Sequence, residues 1–532
     1  MAPALLWGPG AIDSGVLNYT WTKQWSLALG RGELYPRWLP HSFEGLGSPT
    51  FFFYPPLAFL LSGLLDLAGL GAHRAVAGAA LCVLLASGAT MYLWLRAKTP
   101  HALLGACLYM AAPYHLNDFY DRAALAEFAA YAWLPVIAIA IEAQPKRWAG
   151  PLLAVAYAGL IATHLPVALL TSVLLIGPMV AYAAYRRSSP EILIRCAAAG
   201  AVGLGLAMAY LLPALTLQHH VSMRLLAAPS FQPWRWSLLH PSGGVKMPLL
   251  IAYSSLAAGG AVLALGAMRR NAAFWPLLAL CVAGLSLNIV PILWTAPLLE
   301  KVQFPWRSLV IVEFAVVTAL CMAPVRRGLL PLAVAVAAPG VVLLTGIAAV
   351  GMHTPYPPNH HVVMTDAAEY LPRGALAPEV RKLVGRPPLE RFRVPLVQGP
   401  ARRVATARAD ELVVEADGPG VVTIRRAAFP IWRVTHDGRV VDHLPGPLLR
   451  FPVEAGRYRI ARAALREEAL GAAISLASLP LLLALLWRRD PRRLRAPAGP
   501  AALNICSDDA VVAAAVARRP GACSALREQT QA

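Results

Sequence analysis

The sequence predicts a polytopic α-helical membrane protein, with about eleven transmembrane helices and a C-terminal extracytoplasmic all-β domain. Three observations predict it. Of the 532 residues, 58% are hydrophobic and 14% are charged, against about 45–50% apolar and 25% charged in a soluble domain. Apolar runs long enough to cross a bilayer recur along the chain, separated by basic pairs. Beyond residue 350 the pattern changes to short alternating runs rich in charge. The same figures exclude a disordered chain, a collagen, a disulfide miniprotein and an ordinary cytosolic enzyme.

The elements follow in chain order. Residues 1–12 are too short to span, and an outside N-terminus without a leading helix is hard to export. A first transmembrane helix upstream of Met1 would resolve this. Residues 51–71 are apolar, but Pro55, Pro56 and Asp66 disfavour a simple spanning helix. They read as a juxtamembrane or re-entrant segment, within an outer first loop and juxtamembrane region at 1–73. Spans are expected near 74–95, 101–116, 126–144, 149–165, 167–185, 194–216, 247–268, 273–291, 307–325, 328–350 and 467–487, since a span needs roughly 17–25 residues. Residues 1–350 thus form the transmembrane domain. Residues 351–466 contain ELVVEA, VVTIRR, WRVTHDGRVV, LLRFPV and YRIAR, with Asp437-Gly438 as a turn signal. They read as a β-sandwich-like domain. The final span at 467–487 precedes a basic, Ala/Pro-rich tail at 488–532, expected to be disordered and cytoplasmic.

Charge sets the orientation. The formal net charge is +19. Its basic pairs, Lys146-Arg147, Arg186-Arg187, Arg269-Arg270, Arg326-Arg327 and Arg488-Arg489, lie between apolar runs. Cytoplasmic loops carry such an excess, so the charge speaks for anionic lipid and against nucleic acid. The two long polar segments, 217–246 and 351–466, then fall outside. The seven cysteines form no CxxC and no zinc-type cluster with histidine.

Four clusters on that outer side could carry chemistry, because ionisable groups at the membrane are costly to keep. The first holds Asp13 and, further on, Arg37. Asp13 could be a general base or a metal ligand; the alternative is a helix N-cap. The second is Tyr114-His115-Leu116-Asn117-Asp118-Phe119-Tyr120-Asp121-Arg122, followed by Glu127. Arg122 and Glu127 could pair, or Arg122 could clamp an anionic headgroup. The third is Thr163-His164-Leu165-Pro166, whose His164 could hold a phosphate, shuttle a proton or serve as a hydrogen-bonded structural residue. The fourth is Gln303-Phe304-Pro305-Trp306-Arg307, a phosphate site or an interfacial anchor. There is no P-loop and no GxGxxG after a strand. An outside site would need a donor already present there, and a lipid-linked one satisfies that.

Further motifs are Gly32-Glu33-Leu34-Tyr35-Pro36-Arg37-Trp38, Gly45-Leu46-Gly47-Ser48-Pro49, Phe53-Tyr54-Pro55-Pro56-Leu57, Glu369-Tyr370-Leu371-Pro372 and Phe429-Pro430-Ile431-Trp432. Together with the four clusters they resemble a bacterial membrane family labelled "6-pyruvoyl-tetrahydropterin synthase-related domain, membrane protein", and they are similar to YfhO-type proteins. The zinc-binding histidine set of the soluble synthase is missing, so pterin chemistry is not implied. The wider resemblance is to glycosyltransferases of the GT-C fold. It implies a polyprenyl-phosphate-linked sugar as donor, an envelope glycan or lipid as acceptor, and a site at the outer face of the bacterial inner membrane. Asp13 matches the position of the acid in the first outer loop of that fold.

The expectation is therefore a GT-C-like transferase. Asp13 and Glu127 would be its catalytic acids or bases, and Arg37, Arg122, His164, Gln303 and Arg307 would hold the substrate phosphate. A divalent cation is allowed for. The alternative is a non-catalytic or transport-type envelope protein that binds lipid-linked glycans.

Overall fold

The structure is a computed structural model that describes residues 4–5, 10, 14–223, 225, 232–233, 260, 273–323, 366–375, 397–404 and 411–487. The expected spans at 247–268 and 328–350, the tail at 488–532 and Asp13 lie outside the described residues.

Helix α1 (Gly15–Leu29) packs on α2 (Leu57–Leu65) through small and polar groups. Thr22 and Ser62 hydroxyls lie 2.8 Å apart, and a Cβ added at Gly63 would come within 2.8 Å of Trp25. Asp66, just beyond α2, accepts from Lys23 at 3.2 Å. The apolar helical stretch Leu57–Leu70 is shorter than a span.

Helix α3 (Ala72–Leu95) has 24 residues, about 36 Å at 1.5 Å per residue, enough for the bilayer core. The run expected at 101–116 is instead two helices, α4 (Ala102–Met110) and α5 (Pro113–Tyr120). Pro113 explains the break: it has no N–H to continue α4, and it suits a first helical turn. Then come α6 (Leu125–Glu142), the 15-residue α7 (Ala149–Thr163) and α8 (Leu165–Arg186).

The segment expected at 194–216 is bent. Helices α9 (Glu191–Leu206) and α10 (Met208–Thr216) meet at 72°. Groups freed at the bend find partners. The Ser475 hydroxyl accepts from the Ala209 N–H at 2.8 Å and donates to the Leu206 carbonyl at 2.9 Å. Arg37 donates to the Ala209 carbonyl at 2.7 Å. Gly471 lets the last helix approach, because a Cβ there would lie 2.5 Å from the Met208 carbonyl oxygen.

Helix α11 (Phe274–Ser286) has 13 residues. The span Pro305–Met322 contains α12 (Leu309–Met322), and α13 (Arg466–Trp487) closes the helical part. Among the described residues, five helices are long and apolar enough to cross a membrane, or six if the bent pair counts as one span. This is a membrane protein, and its described spans are fewer than the eleven expected.

The β region has two antiparallel sheets. One has the order β1 (Val397–Gln398), β4 (Gly420–Ala427), β7 (Leu448–Val453). The other has the order β2 (Ala401–Val404), β3 (Glu411–Ala416), β8 (Gly456–Arg462), β5 (Trp432–His436), β6 (Arg439–Val441). Alternation puts Leu412, Val414, Val434 and Ile460 of the larger sheet and Val422, Ile424, Leu449 and Phe451 of the smaller into one core. The β5–β6 hairpin turns at Asp437 and Gly438, whose φ angles of +49° and +78° fit the turn signal.

That core also takes in Trp38, Leu46, Phe52, Phe53, Tyr370 and Leu371. The Ala427 N–H donates to the Leu46 carbonyl at 2.8 Å, and Trp38 meets Trp432 edge-on at 5.0 Å. The first polar loop therefore packs directly on the β region.

Candidate functional site

The site gathers around one carboxylate. Glu127 lies in the first turn of α6 and is 1% exposed. Its Oε1 accepts from the Tyr114 hydroxyl at 2.6 Å. Its Oε2 accepts from Arg122 Nη1 at 3.0 Å and from Arg307 Nε at 3.2 Å. His164 Nε2 is 3.9 Å from the same oxygen. Arg122 Nη1 also donates to Asp118 at 2.6 Å and to the Tyr114 hydroxyl at 3.2 Å. Two guanidiniums, two carboxylates and an imidazole thus share a buried volume. The opposite charges offset a desolvation cost that neither sign could bear alone.

Local backbone features aim each group. Arg122 and Glu127 flank a tight turn between α5 and α6, in which Ala123 takes a φ of +49°. The Asn18 amide donates to the Ala123 carbonyl at 2.6 Å, and the Ser14 N–H donates to the Arg122 carbonyl at 3.1 Å. His164 ends α7 in extended conformation, and its Nδ1 accepts from the Val167 N–H. That leaves Nε2 as the nitrogen toward Glu127. Gln303 has φ +67° and ψ −52°, and the Phe304 N–H returns to the Val302 carbonyl at 2.8 Å. This is a strained three-residue turn. Arg307 holds it, donating through Nη1 to the Val302 carbonyl at 2.6 Å and to Gln303 Oε1 at 3.4 Å.

One oxygen-rich partner supports the cluster from behind. Glu313, on α12, accepts from the backbone N–H groups of Tyr114 at 2.6 Å and His115 at 3.1 Å. It also accepts from the Tyr131 hydroxyl at 2.7 Å. The acid sits where α5 exposes unpaired N–H donors, so it caps that helix from another element. Tyr114 is therefore held at its backbone by Glu313 while its hydroxyl serves Glu127.

The structure brings together five residues singled out in the sequence: Arg122, Glu127, His164, Gln303 and Arg307. It does not bring Arg37 to them. Arg37 is buried against Glu468 of α13 at 3.0 Å, the Ala209 carbonyl and the Tyr35 ring. Its guanidinium is used by the bend and the last helix. Sequence reasoning gave no role to Asp118, Tyr114 or Glu313. Glu313 had a signal, being an acid inside an apolar span. Among the described residues, no group of three His, Cys, Asp or Glu side chains is placed to hold a metal ion. At Glu127 two guanidiniums already occupy the carboxylate, so a divalent cation does not fit there.

A second buried acid lies in the loop against the β region. Asp366 accepts from Trp21 Nε1 at 2.8 Å, Ser42 at 2.6 Å, Thr50 at 2.7 Å and its neighbour's Ala367 N–H at 2.7 Å. Burial pushes its carboxyl above the usual range, although these bonds pull it down. All four partners belong to the first loop, α1 or the acid's own segment, so this is a clasp between elements.

No family model, curated protein or solved structure matches the chain.

Proposed function

We propose that the chain is a GT-C-like membrane glycosyltransferase. It would move a sugar from a polyprenyl-phosphate donor to an envelope acceptor at the outer face of the bacterial inner membrane. The single observation that carries this reading is the buried convergence of Arg122, Arg307 and His164 on Glu127, beside a first loop that packs on the β region. Guanidiniums match phosphate oxygens. Arg307 has an Nη2 that makes no hydrogen bond among the described residues. A donor phosphate would take that nitrogen, with Glu127 keeping the two arginines apart and oriented. Glu127 or Asp13 would accept the proton of the acceptor hydroxyl as its oxygen attacks the sugar. The β region would present the acceptor.

The transport-type reading draws on a different observation, the bent pair α9–α10. Broken helices in membranes often border a ligand path.

The test compares lipid-linked sugars by mass spectrometry in cells carrying wild type, a deletion, Asp13→Asn or Glu127→Gln at equal membrane abundance. Accumulation of one polyprenyl-phosphate sugar in the deletion and in either variant is the expected result, and it names the donor. An effect in the deletion alone would move the transport reading ahead.

A further inference from the structure

Helix α11 stops short, and its backbone fixes where. Asn288 takes a φ of +55°. Its N–H donates to the Leu285 carbonyl at 2.9 Å, and the Ile289 N–H donates to the Gly284 carbonyl at 3.2 Å. This pair of bonds closes a helix at a left-handed residue. The Asn288 amide also donates to the Pro233 carbonyl at 3.0 Å. The helix therefore keeps 13 residues, about 20 Å at 1.5 Å per residue, against a hydrocarbon core of about 30 Å. Beyond it the chain stays apolar. No Asp, Glu, Lys or Arg occurs from residue 271 to residue 299.

The segment after that turn carries apolar side chains outward. Ile289, Val290, Ile292, Leu293 and Leu298 are 42–74% exposed. Trp294 and Val302 face the other way and join the helical core, and the short helix Pro291–Thr295 packs on Leu299–Val302. The segment is thus anchored while its outer face stays open. That face continues the one on α11. Leu277 and Cys281, one turn apart, are exposed. Ile289 Cδ1 lies 3.7 Å from where a Cβ on Gly284, the next position along that face, would sit. Much of the backbone is satisfied within the segment. The N–H groups of Leu293, Ala296, Glu300 and Lys301 donate to the carbonyls of Val290, Leu293, Ala296 and Leu298. The Thr295 hydroxyl donates to the Ile292 carbonyl at 2.7 Å, and Pro291 and Pro297 have no N–H to satisfy. Such a segment tolerates acyl chains at the edge of the bilayer core, where its remaining polar groups still reach water.

We infer that residues 289–298 form an interfacial membrane loop, with Ile289, Val290, Ile292, Leu293 and Leu298 seated among lipid acyl chains at the headgroup boundary. An exposed apolar face is costly in water and is matched by lipid. The occupant is lipid because the face prolongs the outer surface of an apolar helix and meets no charge before Glu300 and Lys301, which are exposed. The loop also lies at the same end of the helices as the buried cluster, since Arg307 donates to the Val302 carbonyl at 2.6 Å. The inference does not depend on reading that cluster as a phosphate site.

The experiment uses the full chain, its seven cysteines replaced by alanine, in vesicles of phosphatidylethanolamine and phosphatidylglycerol. One nitroxide label is attached through Ile292→Cys, through Leu476→Cys on α13 or through Val440→Cys on the β5–β6 hairpin. The native side chains at the two reference positions are 65% and 63% exposed. Electron spin resonance reads how often each label collides with oxygen, which concentrates among acyl chains, and with a nickel chelate, which stays in water. The label at 292 should meet oxygen as often as the label at 476 and lose most of the nickel collisions seen at 440. Nickel collisions at 292 equal to those at 440 would place the loop in water and overturn the inference. Few collisions with either reagent would mean that a second copy of this chain or another protein covers the loop, and would overturn it too. Leu298→Cys gives the same reading if Ile292→Cys does not fold, judged by its thermal midpoint against the cysteine-free parent.

Discussion

The chain uses arginine–carboxylate pairs in two settings. In the five-stranded sheet, Arg402 pairs with Glu415 at 3.1 Å, with side chains 74% and 45% exposed. In the helical part, Arg122 pairs with Glu127 at 3.0 Å, with side chains 9% and 1% exposed. The distances are alike and the physics is not. Water already solvates the sheet pair, so the contact replaces good hydration with little gain. Glu127 is 1% exposed and so shielded from bulk solvent, and each charge depends on its partners to be tolerated at all. The comparison teaches that geometry alone does not rank ion pairs. The buried set is the one whose members cannot be removed singly without stranding a charge.

The largest expected effect breaks the buried side of that comparison. Glu127→Ala strands Arg122 and Arg307, at a cost of about 3–5 kcal/mol. Folded yield and the thermal midpoint in detergent should fall together, and an unchanged midpoint would show that the arginines find other acceptors. Next is Asp366→Ala, which leaves the donors of Trp21, Ser42 and Thr50 without their acceptor, at a cost of about 1–3 kcal/mol. Faster protease cleavage near residue 366, with the β region still folded, would locate the loss in the clasp. Glu313→Gln should cost about 1 kcal/mol, since an amide oxygen can still accept from part of the set. If the cluster holds phosphate as proposed, its sharper signature is weaker phosphate binding without loss of fold, because α5 would hold Tyr114 less firmly. The smallest effect is Arg402→Ala, at most about 1 kcal/mol and smaller still in high salt. A larger, salt-independent loss there would undo the distinction between the two settings.

Legibility followed sequence distance. Arg122 and Glu127 are five residues apart across a helix start, so their pairing was one of two options visible in the sequence. His164 and Arg307 drew attention as isolated polar residues at apolar run ends, but nothing in the sequence said that they meet Glu127. Arg37 carried the same outward signal, an arginine in a polar motif, and its actual partners lie on α10 and α13. The broken run at 101–116 was foreseeable from Pro113; the bend at Ala207 was not, because it is held by Ser475 and Arg37 from elsewhere. Glu313 was readable as an unusual intramembrane acid, yet its role as a cap required knowing that α12 passes the start of α5.

By itself the sequence determined what depends on local composition and period. Apolar length made membrane helices, alternation with an Asp-Gly turn made the β strands, and Pro113 marked the break between α4 and α5. Only the tertiary structure decided which charges share a carboxylate and which of the arginines serve a helix bend. Solvent transfer and backbone geometry act residue by residue, so they are written in the local pattern. Pairing of buried charge depends on which helices become neighbours, and that is settled when the whole chain packs.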